Sequence, residues 1–238
     1  MANTVRLLST LALKGAVQGL AEKYHAATGT LIEADYAPTL ALLDRLRRGE
    51  AADVLILTQE RLAELAAAGS VIVESCVDLA RSYVGLAVKA GAVHPDIATE
   101  HALRETLLGA RSIAYSRLGA SGIFFAQLIA RLGIATEINA RATIVPQGFT
   151  AERLVSGEAD LAVQQISELR QVAGIDIVGP IPLHLQSPMI FSAGRLVASQ
   201  QVDRSDQLLR FLASGEAAVA LRDSGLEPFF QTSEALTS

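Results

Sequence analysis

The amino-acid sequence predicts an α/β protein of two units, each a mostly parallel β-sheet flanked by helices. Three observations lead to this prediction. Strand-like and helix-like segments alternate along the chain, 50% of the 238 residues are hydrophobic, and only 5% are aromatic. Alanine, leucine and valine dominate, which is typical of helices packed on a buried parallel sheet.

The first unit begins with three strand–helix pairs, an order that implies parallel strands joined by right-handed crossovers. Gly29 and Gly49 follow the first two helices, where glycine commonly ends a helix. The predicted strands are TVRLLS, LIEADYA and ADVLIL, and the predicted helices cover about 13–27, 39–49 and 59–69.

A second alternating set follows the strand-like segment RSYVGLAVKAG. Its predicted strands are RSIAYS, ARATIVP and ADLAVQQ, its predicted helices are SGIFFAQLIARLG and TAERLVSG, and GIDIVGPIP is a further extended segment. The segment PMIFSAGRLVA predicts a strand that returns to the first unit, and residues 205–225 supply one or two closing helices.

This order predicts one lobe inserted into the other. We expect lobe 1 to comprise residues 1–80 and 190–238, and lobe 2 to comprise residues 81–189. The segments RSYVGLAV and LQSPMIFSAG would cross between the lobes and act as a hinge. The alternative is one continuous, doubly wound sheet, which periodicity alone does not exclude.

Composition excludes several classes of partner. The formal net charge is −5 and the chain has no run rich in lysine or arginine, which argues against nucleic acid and anionic membrane surfaces. No apolar run approaches the roughly 18 residues that cross a bilayer, so we expect no membrane insertion.

Motifs for metal or cofactor chemistry are also missing. Cys76 is the only cysteine, which excludes an intrachain disulfide and a thiolate metal site, and we expect it to be buried. The four histidines are scattered, so no metal site is predicted. The glycine-rich motifs of nucleotide-binding loops are absent, and no cofactor is expected.

Ligands of parallel sheets bind beyond the carboxyl ends of the strands, near helix N-termini. The strand–helix junctions of this chain carry hydroxyls, carboxamides and glycines but few acids, a set that donates hydrogen bonds to an acceptor-rich ligand. The sequence therefore predicts a small anion, bound in the cleft between the lobes. Thr39 also fits the N-cap of the following helix. The candidate ligand-binding residues are Ser9, Thr10, Thr39, Ser121, Gly122, Gln147, Gln164 and Gln165.

Segments along nearly the whole chain resemble the molybdate-binding type of periplasmic solute-binding protein, which has the two-lobed class II fold. The segments that carry the resemblance are STLALKGAVQGLAEKYHAATG, LLDRLRRGEAADVLIL, GASGIFFAQLIARLG and RLVSGEADLAVQQISEL. The resemblance implies a hydroxyl contact to the ligand at Thr39 and backbone donors at Ser121 and about Gln147. It also implies the membrane component of an ABC transporter as partner, if the chain is exported.

Two positions depart from the family pattern. Ala12 stands where the family has a hydroxyl, with Ser9 and Thr10 just upstream, and Gln165 stands where it has a tyrosine. Both changes argue against molybdate itself. Because spaced carboxamides suit a larger ligand than a compact oxyanion, a di- or tricarboxylate is also open.

The same branch includes aconitate-isomerase-like relatives, which gives an alternative function. Such an enzyme would catalyse an allylic proton shift on an unsaturated polycarboxylate and needs a base near the proton. Lys14, Asp35 and Tyr36 are the candidates for this base. The sequence therefore leaves open whether the protein is an enzyme or a binding protein.

The N-terminal segment MANTVRLLSTLALKGAV does not predict a signal peptide, because Lys14 interrupts the apolar stretch and a strand is expected close to Met1. We expect a cytoplasmic protein if the chain is complete, and a periplasmic one if a leader has been removed.

Overall fold

The computed structural model describes residues 3–229, so the predicted end of lobe 1 at 230–238 lies outside the described residues. The described chain divides into two compact units, unit 1 (3–82 with 189–229) and unit 2 (83–188). The chain passes between them at Ser82–Tyr83 and at Pro188–Met189. Both positions lie in the two segments for which the sequence predicts crossings; a hinge motion there stays a prediction.

Unit 1 contains a six-stranded sheet. Numbered along the whole chain, its strands are β1 (Thr4–Ser9), β2 (Leu31–Tyr36), β3 (Val54–Thr58), β4 (Val77–Ser82), β10 (Met189–Arg195) and β11 (Glu227–Pro228). Their order is β11-β4-β10-β3-β1-β2. Strand β1 pairs in parallel with β2 and β3, whereas β10 is antiparallel to β3 and β4, and β11 is antiparallel to β4.

Both faces of this sheet are covered, because the side chains of a strand alternate between faces. In β3, Val54 and Ile56 belong to one buried apolar cluster and Leu55 and Leu57 belong to another. This explains why β3 is a continuous run of apolar residues rather than an alternating one.

Helices on the two faces complete unit 1. A 3-10 helix (Leu11–Leu13) leads directly into the first α-helix, α1 (Lys14–Thr28), and a second 3-10 helix covers Val73–Ser75. Helix α1 ends at Gly29, whose left-handed backbone (φ 69°) lets its N–H donate to the His25 carbonyl at 2.8 Å. The helices of unit 1 are α1 (Lys14–Thr28), α2 (Thr39–Arg47), α3 (Gln59–Ala67), α9 (Val202–Leu212) and α10 (Gly215–Asp223).

Unit 2 contains a five-stranded sheet. Its strands are β5 (Val84–Lys89), β6 (Ile113–Tyr115), β7 (Thr143–Ile144), β8 (Leu161–Gln165) and β9 (Ile175–Pro180), in the order β7-β6-β8-β5-β9. Strand β6 is parallel to β7 and β8, whereas β5 is antiparallel to β8 and β9. The helices are α4 (Glu100–Gly109), α5 (Ala120–Arg131), α6 (Ala135–Asn139), α7 (Glu152–Val155) and α8 (Ile166–Leu169).

The predicted α/β class with mostly parallel sheets is confirmed: β1 to β4 run in one direction in unit 1, and β6 to β9 run in one direction in unit 2. Both sheets are nevertheless mixed, because parallel neighbours need a helical crossover and two strands lack one. Only Tyr83 separates β4 from β5, and β10 follows β9 through a loop at 181–188. These strands, β5 and β10, pair antiparallel to their neighbours.

Helix α4 is absent from the sequence-based prediction, although Thr99 caps it by accepting a hydrogen bond from the Ala102 N–H at 3.1 Å. No helix of the described residues has the length and apolar character needed to cross a membrane.

Candidate functional site

The carboxyl ends of β1, β2 and β3 lie side by side in unit 1. Ser9, the last residue of β1, is in register with Tyr36 of β2 and Ile56 of β3. Beyond these pairs, the Thr10 N–H donates to the Ile56 carbonyl at 3.1 Å and the Ala37 N–H donates to the Ser9 carbonyl at 3.2 Å. The parallel register therefore brings the first two predicted ligand-binding loops to one edge of the sheet.

Two hydroxyls at this edge are buried without a hydrogen bond. Thr10 is 4% exposed and Thr39 is 2% exposed, and neither Oγ1 atom has a hydrogen-bond partner among the described residues. Buried polar side chains are almost always hydrogen-bonded, so two such hydroxyls on neighbouring loops require an explanation.

Ser9 and Thr39 differ in local structure from what the sequence predicts. Ser9 is fully buried and donates its hydroxyl to the Thr10 carbonyl at 3.0 Å, so it braces its own loop. Thr39 is not the N-cap of α2; Pro38 is, and no side chain caps that end. The Thr39 hydroxyl is therefore not used for capping.

The three base candidates behave differently. The Asp35 carboxylate forms an ion pair with Arg45, whose guanidinium hydrogen bond holds the pKa of Asp35 below its ordinary range. Burial raises the pKa of Tyr36 to about 12, so its phenol stays neutral at physiological pH. The Lys14 Nζ lies 5.9 Å from the centroid of the Tyr36 ring. None of these observations identifies a base.

In unit 2, Ser121 and Gly122 lie in the first turn of α5 and both are buried. Gly122 has a packing role, because a Cβ atom there would lie 1.4 Å from the Ser116 carbonyl oxygen. The Ser116 Oγ accepts hydrogen bonds from the N–H groups of Leu118 and Gly119 and shapes the same loop. Gly122 thus permits the close approach of this loop to α5.

The three predicted ligand-binding glutamines differ in exposure and in hydrogen bonding. Gln147 is exposed in the loop before Gly148. Gln164 is buried and engaged: its Oε1 accepts from the N–H and hydroxyl of Thr150 at 2.8 and 3.0 Å, and its Nε2 donates to the Gly148 carbonyl at 3.3 Å. Gln164 therefore holds the 148–150 loop against the end of β8.

Gln165 is the N-cap of α8 and forms a capping box with Glu168, whose Oε2 accepts from the Gln165 N–H at 3.1 Å. Glu168 is 7% exposed. Burial raises its pKa to about 8, and the hydrogen bond from the Gln165 N–H lowers the pKa by a smaller amount. This carboxyl is consequently mostly protonated at neutral pH.

Sequence reasoning missed Glu168 and two further buried hydroxyls. The Oγ atoms of Ser82, at the end of β4, and Ser167, in α8, have no hydrogen-bond partner among the described residues. A glutamine followed three residues later by a glutamate is a capping-box spacing, and this signal could have pointed to Glu168.

No group of three or more His, Cys, Asp or Glu side chains within residues 3–229 is placed to hold a metal ion. The expectation that Cys76 is buried is wrong; it is exposed, at the end of the Val73–Ser75 turn.

Several solved structures with the same fold are named as binding proteins for small solutes. The periplasmic molybdate-binding protein of Azotobacter vinelandii is 18% identical, with a TM-score of 0.78 over 93% of this chain and 98% of that chain. The sulfate-binding protein SubI of Mycobacterium tuberculosis is 16% identical, with a TM-score of 0.78 over 95% of this chain and 87% of that chain. The fold is thus that of the two-lobed periplasmic binding proteins.

The family follows from the sequence comparisons. A model of the bacterial extracellular solute-binding proteins matches residues 5–227. An aconitate isomerase from Pseudomonas sp is 37% identical over 231 residues, which cover 94% of this chain and 88% of that relative. The chain belongs to the bacterial extracellular solute-binding protein family.

The packing role of Gly122 predicts a large effect of Gly122→Ala. The added methyl group must displace the Ser116 backbone, so the free energy of unfolding should fall by roughly 3 kcal/mol or more. Gly19→Ala is the matched control, because Gly19 lies within α1 with no atom near its Cβ position, and it should stabilise the protein by about 0.5–1 kcal/mol. Urea unfolding measures both; equal stabilities of the two variants would contradict this role.

The raised pKa of Glu168 predicts that the stability of the protein depends on pH. Its pKa in the folded chain lies above the ordinary value of 4.5, so between pH 4.5 and 8 the folded state holds a proton that the unfolded state has lost. The free energy of unfolding should therefore fall as pH rises from 5 to 8.5, by on the order of 4 kcal/mol relative to Glu168→Gln. Urea unfolding at several pH values tests this, with exposed Glu152→Gln as control. Parallel profiles for the wild type and Glu168→Gln would refute it.

Proposed function

We propose that the protein binds a small anionic solute to which the hydroxyls of Thr10 and Thr39 donate hydrogen bonds. The observation that carries the proposal is the burial of both hydroxyls without a partner at adjacent strand ends. An acceptor oxygen of a ligand would satisfy each hydroxyl and remove the cost of burying it unpaired.

The charges around this edge also favour an anion. Lys14 supplies a positive charge beside Tyr36, and the nearby Asp35 carboxylate pairs with Arg45, which Asp35 shares with Glu50. The first turns of α1 and α2 carry no acidic residue, so the positive ends of both helix dipoles remain uncompensated there.

The comparisons support the same class of ligand. The structural relatives are named as molybdate-binding and sulfate-binding proteins, and the relative with 37% identity is named as an isomerase of aconitate, a tricarboxylate. All three ligands are small anions rich in acceptor oxygens.

A second candidate function is isomerisation of an unsaturated polycarboxylate. It is favoured by one observation, the 37% identity to an aconitate isomerase over 94% of the chain. Binding and isomerisation would use the same anion-recognition residues, and only the isomerase needs a base. Proton NMR of trans-aconitate incubated with the protein separates the two: conversion establishes the enzyme, and binding without conversion favours the solute-binding protein.

A transporter partner is a further part of the proposal and depends on where the protein is located. If the chain is exported, we propose that it delivers its ligand to the membrane component of an ABC transporter. Cell fractionation of the natively encoded protein decides the condition: recovery in the periplasm with a shortened N-terminus supports delivery to a transporter, and recovery in the cytoplasm excludes a transporter as partner.

Valine substitutions at the two threonines test the ligand contacts. Thr10→Val and Thr39→Val remove hydroxyls that have no partner within residues 3–229, so the stability of the ligand-free protein should not fall. Each should weaken binding of the best anion among molybdate, sulfate, phosphate and tricarballylate by about 5- to 150-fold, the loss of one buried hydrogen bond.

Isothermal titration calorimetry measures this effect, with Thr136→Val as the matched control because Thr136 is exposed in α6. An unchanged dissociation constant in both threonine variants would contradict the proposed contacts.

A further inference from the structure

Lys14 occupies an electrostatically unfavourable position. It is the first residue of α1 and lies within one turn of the start of the preceding 3-10 helix, near the positive end of the helix dipole, and the first turn of α1 contains no acidic residue. A residue that departs from a local rule in this way often serves a functional site.

The Tyr36 ring compensates part of this cost. The Lys14 Nζ lies 5.9 Å from the ring centroid, within the range of a cation–π interaction. Tyr36 ends β2 directly beside Ser9, so the ring holds the ammonium group at the edge where Thr10 and Thr39 are buried.

Asp35, the acidic residue next to Tyr36 in β2, lies apart from the Lys14 ammonium group. Successive side chains of a strand point to opposite faces, so Asp35 lies on the other face of β2 from Tyr36. There its carboxylate pairs with Arg45, which also pairs with Glu50. The positive charge of Lys14 is therefore not directed at Asp35.

The separation of the Lys14 and Thr10 backbones along the chain fits a ligand with separated charges. The 3-10 helix Leu11–Leu13 places Lys14 roughly 8 Å along its axis from Thr10, at about 2 Å per residue. A tetrahedral oxyanion can be held by neutral donors grouped around one centre, whereas a polycarboxylate carries a second charged group at a distance that a cation can bind.

We infer that Lys14 is the specificity-determining residue for a ligand with two or more carboxylates, one bound by the hydroxyls and another by the ammonium group. This inference rests on the proposed anion-binding function. It assigns to Lys14 a charge-recognition role that is separate from any role as a base, and it places the preferred ligands among di- and tricarboxylates.

Calorimetric titration with two probes tests the inference. Tricarballylate carries three carboxylates and no double bond, so its binding is measured without turnover, and sulfate is the compact oxyanion. Lys14→Met and Lys14→Gln should weaken tricarballylate binding at least tenfold and sulfate binding less than threefold. Lys14→Arg keeps the charge, so it should weaken tricarballylate binding less than Lys14→Met and Lys14→Gln do.

Lys23→Met is the matched control, since Lys23 is exposed on the same helix, and it should change neither affinity. Three results would overturn the inference and leave anion binding standing. The Lys14→Met and Lys14→Gln variants could lose the same affinity for both probes, or they could lose less than threefold of their affinity for tricarballylate. The wild type could also bind sulfate but not tricarballylate. Binding of neither probe by the wild type would overturn the proposed function and the inference together.

Discussion

A hydroxyl that is buried without a hydrogen bond costs about 1–3 kcal/mol, and this constraint connects the fold of unit 1 to its function. Thr10 and Thr39 both carry this cost, and both lie where the parallel strands β1 and β2 end. The rest of the unit, with apolar clusters on both faces of the sheet, stabilises the chain enough to tolerate it. An anion with acceptor oxygens would recover the lost free energy on binding.

Several buried polar groups of unit 2 are hydrogen-bonded within the chain, although the Ser167 hydroxyl has no partner among the residues that the structure describes. The Gln164 amide satisfies the Thr150 N–H and hydroxyl, and Gly122 permits the close approach of the Ser116 loop. Glu168 accepts the Gln165 N–H while burial keeps its carboxyl mostly neutral near pH 7. A neutral carboxyl avoids adding a negative charge at the end of β8, where the sequence predicts an anion.

Local signals predicted much of this structure. The strand β1 and the end of α1 at Gly29 follow from periodicity and a helix-ending glycine, both of which depend on neighbouring residues only. The direction of β10 was not predictable in this way, because it depends on pairing with β3 and β4, which are distant in sequence. Likewise, residue type identified Thr10 and Gln164 as polar groups at strand ends. The sequence could not show that the Thr10 hydroxyl lacks a hydrogen-bond partner among the described residues, whereas the Gln164 amide has one, because this depends on the folded structure.

The most direct test of anion recognition by Thr10 and Thr39 is a crystal structure of the protein with its best-binding anion. The account predicts acceptor oxygens of the anion at about 2.7–3.0 Å from the Oγ1 atoms of both threonines. An anion bound elsewhere, with both hydroxyls still lacking a partner, would contradict it.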